Sequence, residues 1–239
     1  MTLHLWLYLN VEKLEKFEKD MGDENSSNAD YSDDGEEGQE EYRAGGYHPV
    51  HIGDTFHSRY VVVDKLGWGH FSTVWMCLDT KKKSANGMPS SSSSSSSSFV
   101  AMKVQKSAPH YRDAAYDEIE LLKTVSTTAI SNAFLLERRA ESSAITHPLD
   151  PRVVTLVDHF EHSGPHGRHV CMVFELLGDN LLQVIKQYNY RGIPLDIVKR
   201  FGFEILLGLD FLHRHCGMIH TDLKVVSRKS LGLLFLILV

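Results

Sequence analysis

Two runs of strand-forming residues, 60–65 and 72–78, are separated by a short glycine-rich break. Apolar and β-branched residues favour strands and glycines favour a tight turn, so this stretch predicts a β-hairpin. A third strand-like run follows at 99–105, after a segment that contains nine consecutive serines, 90–98. A serine homopolymer cannot form a core, so we expect residues 80–98 to be a flexible loop inserted between strands. These runs predict that an antiparallel sheet forms the first part of the fold along the sequence.

The next segment has the period of an amphipathic helix, because apolar residues recur at spacings of three and four with one acid on the inward side. These residues are Ala115, Glu118, Ile119 and Leu122. Two further strand-like runs follow at 153–160 and 169–175. The order β-β-β-α-β-β predicts a five-stranded antiparallel sheet with one helix, which is the first part of an α+β fold.

Beyond Gly178 the pattern becomes helical, first over 180–188 and then over 195–213. The second helix carries an apolar stripe at helical spacing, which would normally pack inside a helical bundle. The stripe consists of Val198, Phe201, Gly202, Ile205, Leu209 and Leu212. Because most of such a bundle is missing from the sequence, we expect the stripe to remain partly exposed and the chain to be poorly soluble.

Charge is unevenly distributed along the chain. Ten of the 31 acidic residues lie between positions 20 and 41, a stretch without Lys or Arg. Such a composition cannot bury enough apolar surface to offset the entropy of ordering, so we expect residues 1–46 to be a disordered leader. The other 21 acids stand against 25 basic residues, a net charge of +4. This mildly basic balance suits a polyphosphate ligand and is too weak to indicate nucleic acid.

The three cysteines, Cys77, Cys171 and Cys216, lie far apart and form no C-x-x-C pair. They predict a reducing compartment rather than a disulfide framework or a zinc ribbon. The apolar stretches 1–9 and 231–239 are too short for a bilayer, which takes roughly 20 apolar residues. We therefore expect no membrane partner.

Two groups of histidines are candidate metal ligands. One is the run His213-Arg214-His215-Cys216 at the end of the long helix, where basic residues are in any case favoured by the helix dipole. The other comprises His162, His166 and His169 around a Gly-Pro turn. Neither has ligand spacing typical of a metal site, so we interpret the first group as a helix end and the second as solvated loop histidines.

The residues that can carry chemistry begin in the turn of the first hairpin, Leu66-Gly67-Trp68-Gly69-His70-Phe71-Ser72-Thr73-Val74. Glycines let backbone N–H groups approach an anionic ligand that a β-carbon would keep away. Taken alone, the pattern fits a simple turn equally well.

A lone lysine, Lys103, lies in the apolar run Val100-Ala101-Met102-Lys103-Val104. An inward-facing lysine without a partner would be costly, so a partner is expected. Glu118, fifteen residues on and on the inward face of the predicted helix, can supply it. The alternative is an edge-strand lysine whose charged end reaches solvent.

A third element, Met218-Ile219-His220-Thr221-Asp222-Leu223-Lys224, follows the long helix. An aspartate in such a loop can orient a hydroxyl nucleophile and accept its proton. A lysine two residues later can stabilise a transferring phosphate. Asp222 and Lys224 are therefore the candidate catalytic residues.

Together these motifs occur in the order and approximate spacing of a eukaryotic protein kinase. More narrowly, residues 42–224 resemble the SR-protein kinases, which phosphorylate serines in Arg/Ser-rich splicing factors. The segments that carry this resemblance are 45–50, 52–54, 66–75, 116–119, 171–175 and 219–224. The resemblance implies a bilobal kinase fold, with the small lobe at 47–177 and the beginning of the large lobe at 178–224. It also implies Mg²⁺ and ATP as cofactors, Ser/Thr acceptors, and a cytoplasmic and nuclear location.

The resemblance also implies a role for each site residue. Residues 66–74 would cover the ATP phosphates, and Lys103 would bind the α and β phosphates while paired with Glu118. Phe174 would be the gatekeeper beside an adenine-binding hinge at 175–177, and Asp222 would be the catalytic base with Lys224 as its partner. The implied cofactor-binding residues are Leu66, Gly67, Trp68, Gly69, His70, Phe71, Ser72, Val74, Ala101, Lys103, Glu118, Phe174, Glu175 and Leu177.

The sequence departs from the family in several places. Ser72 replaces the third glycine of the loop, and Thr221 replaces an arginine that in many kinases binds a phosphate on the activation loop. An active relative should therefore need no such phosphorylation. Ser227 stands where the family has a magnesium-binding asparagine, and no Asp-Phe-Gly follows, so protein ligands for Mg²⁺ are missing from this sequence. The alternative function is thus a nucleotide-binding or interaction fragment that has lost phosphoryl transfer.

The resemblance ends abruptly at Lys224. Residues 225–239 form an apolar tail that has neither the stripe of a helix nor the alternation of a strand. We expect this tail to be an intron translated by error, and a genuine short isoform is the alternative.

Overall fold

A computed structural model describes residues 37–82, 99–131, 152–178, 181–221 and 223. The predicted features that lie outside these ranges are residues 1–36 of the leader, residues 83–98 of the insert, Asp222, Lys224 and the tail 225–239.

Six strands form one antiparallel sheet in the order β1-β2-β3-β4-β6-β5. They are β1 (Thr55–Phe56), β2 (Tyr60–Gly69), β3 (Ser72–Asp79), β4 (Phe99–Gln105), β5 (Leu156–Gly164) and β6 (Gly167–Glu175). A helix, α1 (Pro109–Ile130), connects β4 to β5. The predicted order of elements is confirmed. The additional strand, β1, has two residues at the sheet edge and is too short to show a period in the sequence.

The central strand β4 separates two apolar layers, because successive side chains of a strand point to opposite faces. Val100, Met102 and Val104 face one layer, which also contains Phe56 and Tyr60. Ala101 faces the other layer, where Ala115, Ile119 and Leu122 of α1 pack against the sheet. The predicted inward face of the helix is therefore confirmed, including its one acid, Glu118, which is buried.

The glycine-rich segment forms part of the hairpin strands rather than a break between them. Gly67 pairs with Val74, and Gly69 pairs with Ser72, so only His70 and Phe71 form the turn. The register shifts between Lys65 and Gly67. A bulge of this kind bends the strand and increases its twist.

Residues 38–50, here called the N-terminal strap, pack against the sheet. A 3₁₀ turn at Gln39–Glu41 begins the strap, and the Gly45 N–H donates to the carbonyl of His166 at 3.1 Å. Tyr47 and Val50 are buried. The predicted disordered leader is thus wrong for residues 38–46. The acidic composition of residues 20–46 gave no sign that the segment is anchored by a few buried residues, such as Tyr47 just after it.

The helical part begins with α2 (Leu181–Gln187) and continues with α3 (Leu195–Asp210), which ends in a π-helical turn, Phe211–His215. Leu212 at one end of the predicted stripe is buried, whereas Val198 at the other end is 44% exposed. This agrees with the expected partial exposure of the stripe. The order of sheet and helices agrees with the expected bilobal α+β architecture.

The sheet with α1 and the helical part contact each other near the C-terminal end of α1. Val125 of α1 forms an apolar cluster with Val153, Phe211 and Leu212. An ion pair of 2.7 Å between Arg152 Nε and Glu204 Oε2 joins the segment before β5 to α3. The apolar cluster attaches α1 to the helical part, and the ion pair attaches the segment before β5 to it.

The expectation of solvated histidines in the β5–β6 hairpin is wrong for His169. Its side chain is fully buried, and its Nδ1 lies 2.8 Å from the carbonyl oxygen of Gln105. The ring of His48 from the strap lies 5.0 Å from it, centroid to centroid. Strand β6 starts at Gly167, so His169 is a sheet residue facing the strap.

None of the helices in the described ranges has the length and apolarity needed to cross a membrane.

Candidate active site

The side chains of Lys103 and Glu118 form a buried ion pair between β4 and α1. Lys103 Nζ lies 2.9 Å from Glu118 Oε1 and 2.8 Å from Oε2, and the two side chains are 7% and 10% exposed. Strand β4 is central, with Val74 of β3 on one side of Lys103 and Met172 of β6 on the other. The predicted partner is therefore confirmed, and the alternative of an edge-strand lysine is excluded.

The same face of the sheet gathers the apolar residues predicted to surround a nucleotide base. Ala101 pairs directly with Phe174 across β4 and β6, and both are almost fully buried. Leu66, Val74 and Leu177 are partly buried and pack against this cluster. A patch of apolar side chains next to a buried ion pair can bind a flat aromatic base at one end and anionic groups at the other.

Gly69, near the tip of the hairpin, is open on the side where a β-carbon would lie. A β-carbon built there meets no heavy atom within 4 Å, and the backbone does not adopt a positive φ. Neither crowding within the protein nor backbone conformation therefore requires glycine at this position. The open space fits the expectation that a phosphate approaches the backbone here.

The remaining loop residues differ in exposure. Ser72 is buried, whereas Phe71 is 52% exposed at the tip. The ring of His70 lies edge-on to that of Phe71, at 4.8 Å between centroids. Trp68 is partly buried and pairs with Thr73. The predicted loop is thus one hairpin, with its exposed aromatic residue at the turn.

The segment expected to be the hinge follows β6 directly. Glu175 is exposed, and its Oε1 accepts a hydrogen bond of 3.0 Å from the Thr155 N–H. Leu176 and Leu177 are partly buried against the apolar cluster. This segment connects the sheet to the helical part beside Phe174.

Sequence reasoning missed a contact between the strap and the hairpin. The hydroxyl of Tyr47 donates a hydrogen bond of 2.6 Å to the carbonyl oxygen of Gly69. Close by, Lys106 Nζ lies 2.5 Å from Glu41 Oε2 and 4.4 Å from the centre of the Tyr47 ring. The hydrogen bond from Lys106 lowers the pKa of the Glu41 carboxyl. No local sequence pattern indicated this arrangement, because its partners lie 22 and 65 positions apart.

The candidate catalytic loop is described only in part. His220 is buried, and Thr221 has a positive φ of 55°. Asp222 and Lys224 lie outside the described residues. The structure thus brings together the predicted nucleotide-binding residues, and the roles of Asp222 and Lys224 stay predictions.

The described residues of the site fit ATP. The buried lysine, the open glycine and the apolar patch together match a purine base with a phosphate chain. For magnesium, the described ranges contain no cluster of three or more His, Cys, Asp or Glu residues that could hold a metal ion. The family's asparagine is Ser227 here, and the sequence has no Asp-Phe-Gly after Asp222.

Comparison with known protein families gives a match to the protein kinase domain over residues 60–226. The matched range begins with β2 and ends just after the candidate catalytic loop.

Curated relatives share close to half of the aligned residues. Serine/threonine-protein kinase SRPK of Physarum polycephalum is 49% identical over 185 residues, 77% of this chain and 36% of that protein. Protein kinase dsk1 of Schizosaccharomyces pombe is 46% identical and SRSF protein kinase 3 of Homo sapiens is 46% identical, again over 77% of this chain. The chain spans 29% and 28% of the length of these two proteins. The resemblance that the motifs indicated is thereby confirmed.

A solved crystal structure of a kinase domain superposes with a TM-score of 0.55 at 23% sequence identity. The match covers 74% of this chain and 41% of the other. At this identity the likeness concerns the fold, which agrees with the expected kinase architecture.

Proposed function

Because the chain belongs to the protein kinase domain family, we propose that it is part of a serine/threonine kinase that phosphorylates Arg/Ser-rich splicing factors. The observation that carries the proposal is the ion pair of Lys103 and Glu118, buried beside the apolar patch and the glycine-rich hairpin. A buried lysine fixed by a carboxylate presents a positive charge at a defined place, which suits the phosphate groups of a nucleotide.

Each part of the site has a role in holding ATP. Lys103 would bind the α and β phosphates, and the backbone near Gly69 would cover them. The adenine would lie on the apolar patch, next to Phe174 and the hinge residue Leu177. When bound, ATP supplies the γ-phosphoryl group.

The acceptor side of the reaction would depend on Asp222. Its carboxylate would accept the proton of a serine hydroxyl, and Lys224 would stabilise the negative charge of the phosphoryl group. The proposed acceptors are serines of Arg/Ser-rich proteins, because the sequence motifs resemble those of kinases that act on such proteins and one relative is named SRSF protein kinase 3.

Nucleotide binding is tested with the 239-residue chain and N-methylanthraniloyl-ATP, whose fluorescence rises on binding. Lys103→Arg retains a positive charge opposite Glu118 but replaces a compact ammonium with a planar group. We expect its affinity to fall about tenfold or more, the range for a lost charge-assisted contact. Lys123→Arg, on the exposed side of α1, is the matched control and should bind as the unchanged chain does. Equal affinities for all three proteins would contradict the proposed site.

A second candidate is a nucleotide-binding fragment without phosphoryl transfer. It is favoured by Ser227, which stands at the position of the family's magnesium-binding asparagine, because the charge on a transferring phosphate would lack that magnesium ligand. A polypeptide of these 239 residues should therefore transfer no measurable phosphate from ATP to an Arg-Ser repeat peptide. Transfer that is abolished by Asp222→Asn would exclude this candidate. Transcripts sequenced across codon 224 identify any longer product, which should phosphorylate the Arg-Ser peptide in preference to a Lys-Ser peptide.

A further inference from the structure

The tip of the glycine-rich hairpin is bonded to the N-terminal strap. Tyr47 is buried, and its hydroxyl donates the 2.6 Å hydrogen bond to the Gly69 carbonyl across 22 positions of sequence. We propose that Tyr47 is a positioning residue that holds the hairpin in the conformation needed to bind nucleotide phosphates. This inference rests on the proposed ATP site and adds a residue outside its motifs.

The strap can act as a fixed support because its backbone is bonded to two neighbouring elements. The N–H groups of Ser107 and Ala108, at the start of α1, donate to the carbonyls of Gly46 and Gly45 at 3.1 and 3.0 Å. His166 Nδ1 lies 2.7 Å from the carbonyl oxygen of Tyr47 itself. The backbone of the strap at Tyr47 is therefore held in place from both the helix side and the β5–β6 side.

The hairpin turn is restrained on both sides of His70. The Gly69 carbonyl before it accepts from Tyr47, and the Phe71 carbonyl after it accepts from the Lys106 N–H at 2.9 Å. Lys106 is in turn tied to the strap by its ion pair with Glu41. The carbonyl just before the two-residue turn and the carbonyl of its second residue are thus both bonded to the rigid part of the protein.

Restraining the Gly69 carbonyl also sets the direction of the next N–H group. The peptide bond between Gly69 and His70 is trans, because the described residues contain no cis peptide. In a planar trans peptide the C=O and N–H groups point in opposite directions. Since the carbonyl points to Tyr47, the His70 N–H points away from the strap. The hydrogen bond therefore orients a backbone donor, which is what a phosphate ligand requires.

The test compares Tyr47→Phe with Tyr111→Phe in the 239-residue chain. Both changes remove one hydroxyl, and both rings lie near Lys106, at 4.4 and 5.6 Å from its Nζ. Among the described residues the Tyr111 hydroxyl has no hydrogen-bond partner, so this variant controls for the chemical change alone. Three measurements are made: amide hydrogen exchange over residues 66–74, affinity for N-methylanthraniloyl-ATP, and the inhibition constant of adenosine in competition with it.

We expect Tyr47→Phe alone to exchange faster over 66–74 and to lose about 2- to 10-fold in affinity for the ATP analogue. Adenosine should compete equally well in both variants, because the hydroxyl positions the phosphate-binding backbone and not the apolar patch. A general loss of structure would weaken both ligands and raise exchange everywhere, which would overturn a positioning role. Unchanged exchange over 66–74, or unchanged affinity for the ATP analogue, would also overturn it. If the unchanged chain fails to bind the analogue, the proposed function fails, and the exchange data alone still decide whether Tyr47 restrains the hairpin.

Discussion

Lys103 and Glu118, fifteen residues apart in sequence, share one ion pair at the interface of the central strand and α1. Both charges are buried, so each offsets the free-energy cost of removing the other from water. The pair connects the sheet to the helix through a charged contact beside the apolar layer around Ala101 and Ile119.

Removing one member of this pair should destabilise the fold strongly. Lys103→Met leaves the Glu118 carboxylate buried without a counter-charge, so we expect the free energy of unfolding to fall by on the order of 3 kcal/mol. Adding Glu118→Leu removes the stranded charge and should recover part of the loss. Urea unfolding followed by circular dichroism measures both. A double variant no more stable than Lys103→Met would contradict the interpretation.

Gly69→Ala should separate stability from ligand binding. A β-carbon at this position meets no atom within 4 Å, and alanine restricts the unfolded chain, so stability should be unchanged or higher by up to about 1 kcal/mol. The methyl group would occupy the space expected for phosphate, so affinity for N-methylanthraniloyl-ATP should fall. Thermal unfolding and fluorescence titration give the two results, and undiminished affinity would show that no phosphate lies there.

Two glycines of α3 should respond to alanine with opposite signs. A β-carbon on Gly208 would lie 3.0 Å from the carbonyl oxygen of Arg152, whereas one on Gly202 meets nothing within 4 Å. Gly202→Ala should stabilise the chain by about 0.5–1 kcal/mol through helix propensity. Gly208→Ala crowds a backbone carbonyl that can yield only by a small shift of α3 or of the segment before β5, so we expect it to destabilise the chain. Urea unfolding compares the two, and equal stabilisation would mean that α3 does not approach Arg152 so closely.

The strap should make stability depend on mildly acidic pH through His48. Burial lowers the pKa of His48 from 6.5 to about 4, and the neighbouring His162 and His169 act in the same direction while Asp54 opposes them. The unfolded chain therefore binds a proton at a higher pH than the folded chain. Stability is fully present above pH 6.5 and is lost as the pH falls towards 4, by up to about 3 kcal/mol.

His48→Phe should reduce this dependence, because an aromatic ring of similar size remains without a proton to bind. His51→Phe is the matched control, since the His51 side chain is 78% exposed. Urea unfolding at several pH values between 4 and 7 measures the slope. The hypothesis fails if the two variants lose stability with the same slope.

Much of the sheet and of the ion pair could be predicted because both leave a local signal. Runs of apolar and β-branched residues indicated β2, β3 and β4, and a lysine alone in an apolar run required a partner that the helix period located at Glu118. The prediction of that pair needed only the helical spacing of Glu118 and the cost of burying a lysine without a partner. The edge strand β1 escaped prediction because two residues cannot show a period.

The strap could not be predicted because its stability comes from contacts distant in sequence. Tyr47 and Gly69 are 22 residues apart, and Lys106 and Glu41 are 65 apart. The acidic residues before Tyr47 suggested disorder, and composition carries no information about a single hydrogen bond. The burial of His169 could not be predicted for the same reason, because its ring lies against His48 and Gln105, which belong to other parts of the chain.

Helix α1 connects the Lys103–Glu118 ion pair to the apolar cluster around Val125, nearer the C-terminal end of the helix. Glu118 and Val125 are seven residues apart, about two turns or 10 Å along the axis, and they lie on nearly the same side. Val125 is embedded with Phe211 and Leu212 of the helical part. The helix is therefore fixed at two points along its length, by the ion pair with the sheet and by the apolar cluster with the helical part. A rotation of α1 about its axis that separates Glu118 from Lys103 would also remove Val125 from its cluster. The ion pair and the apolar cluster therefore oppose the same rotation.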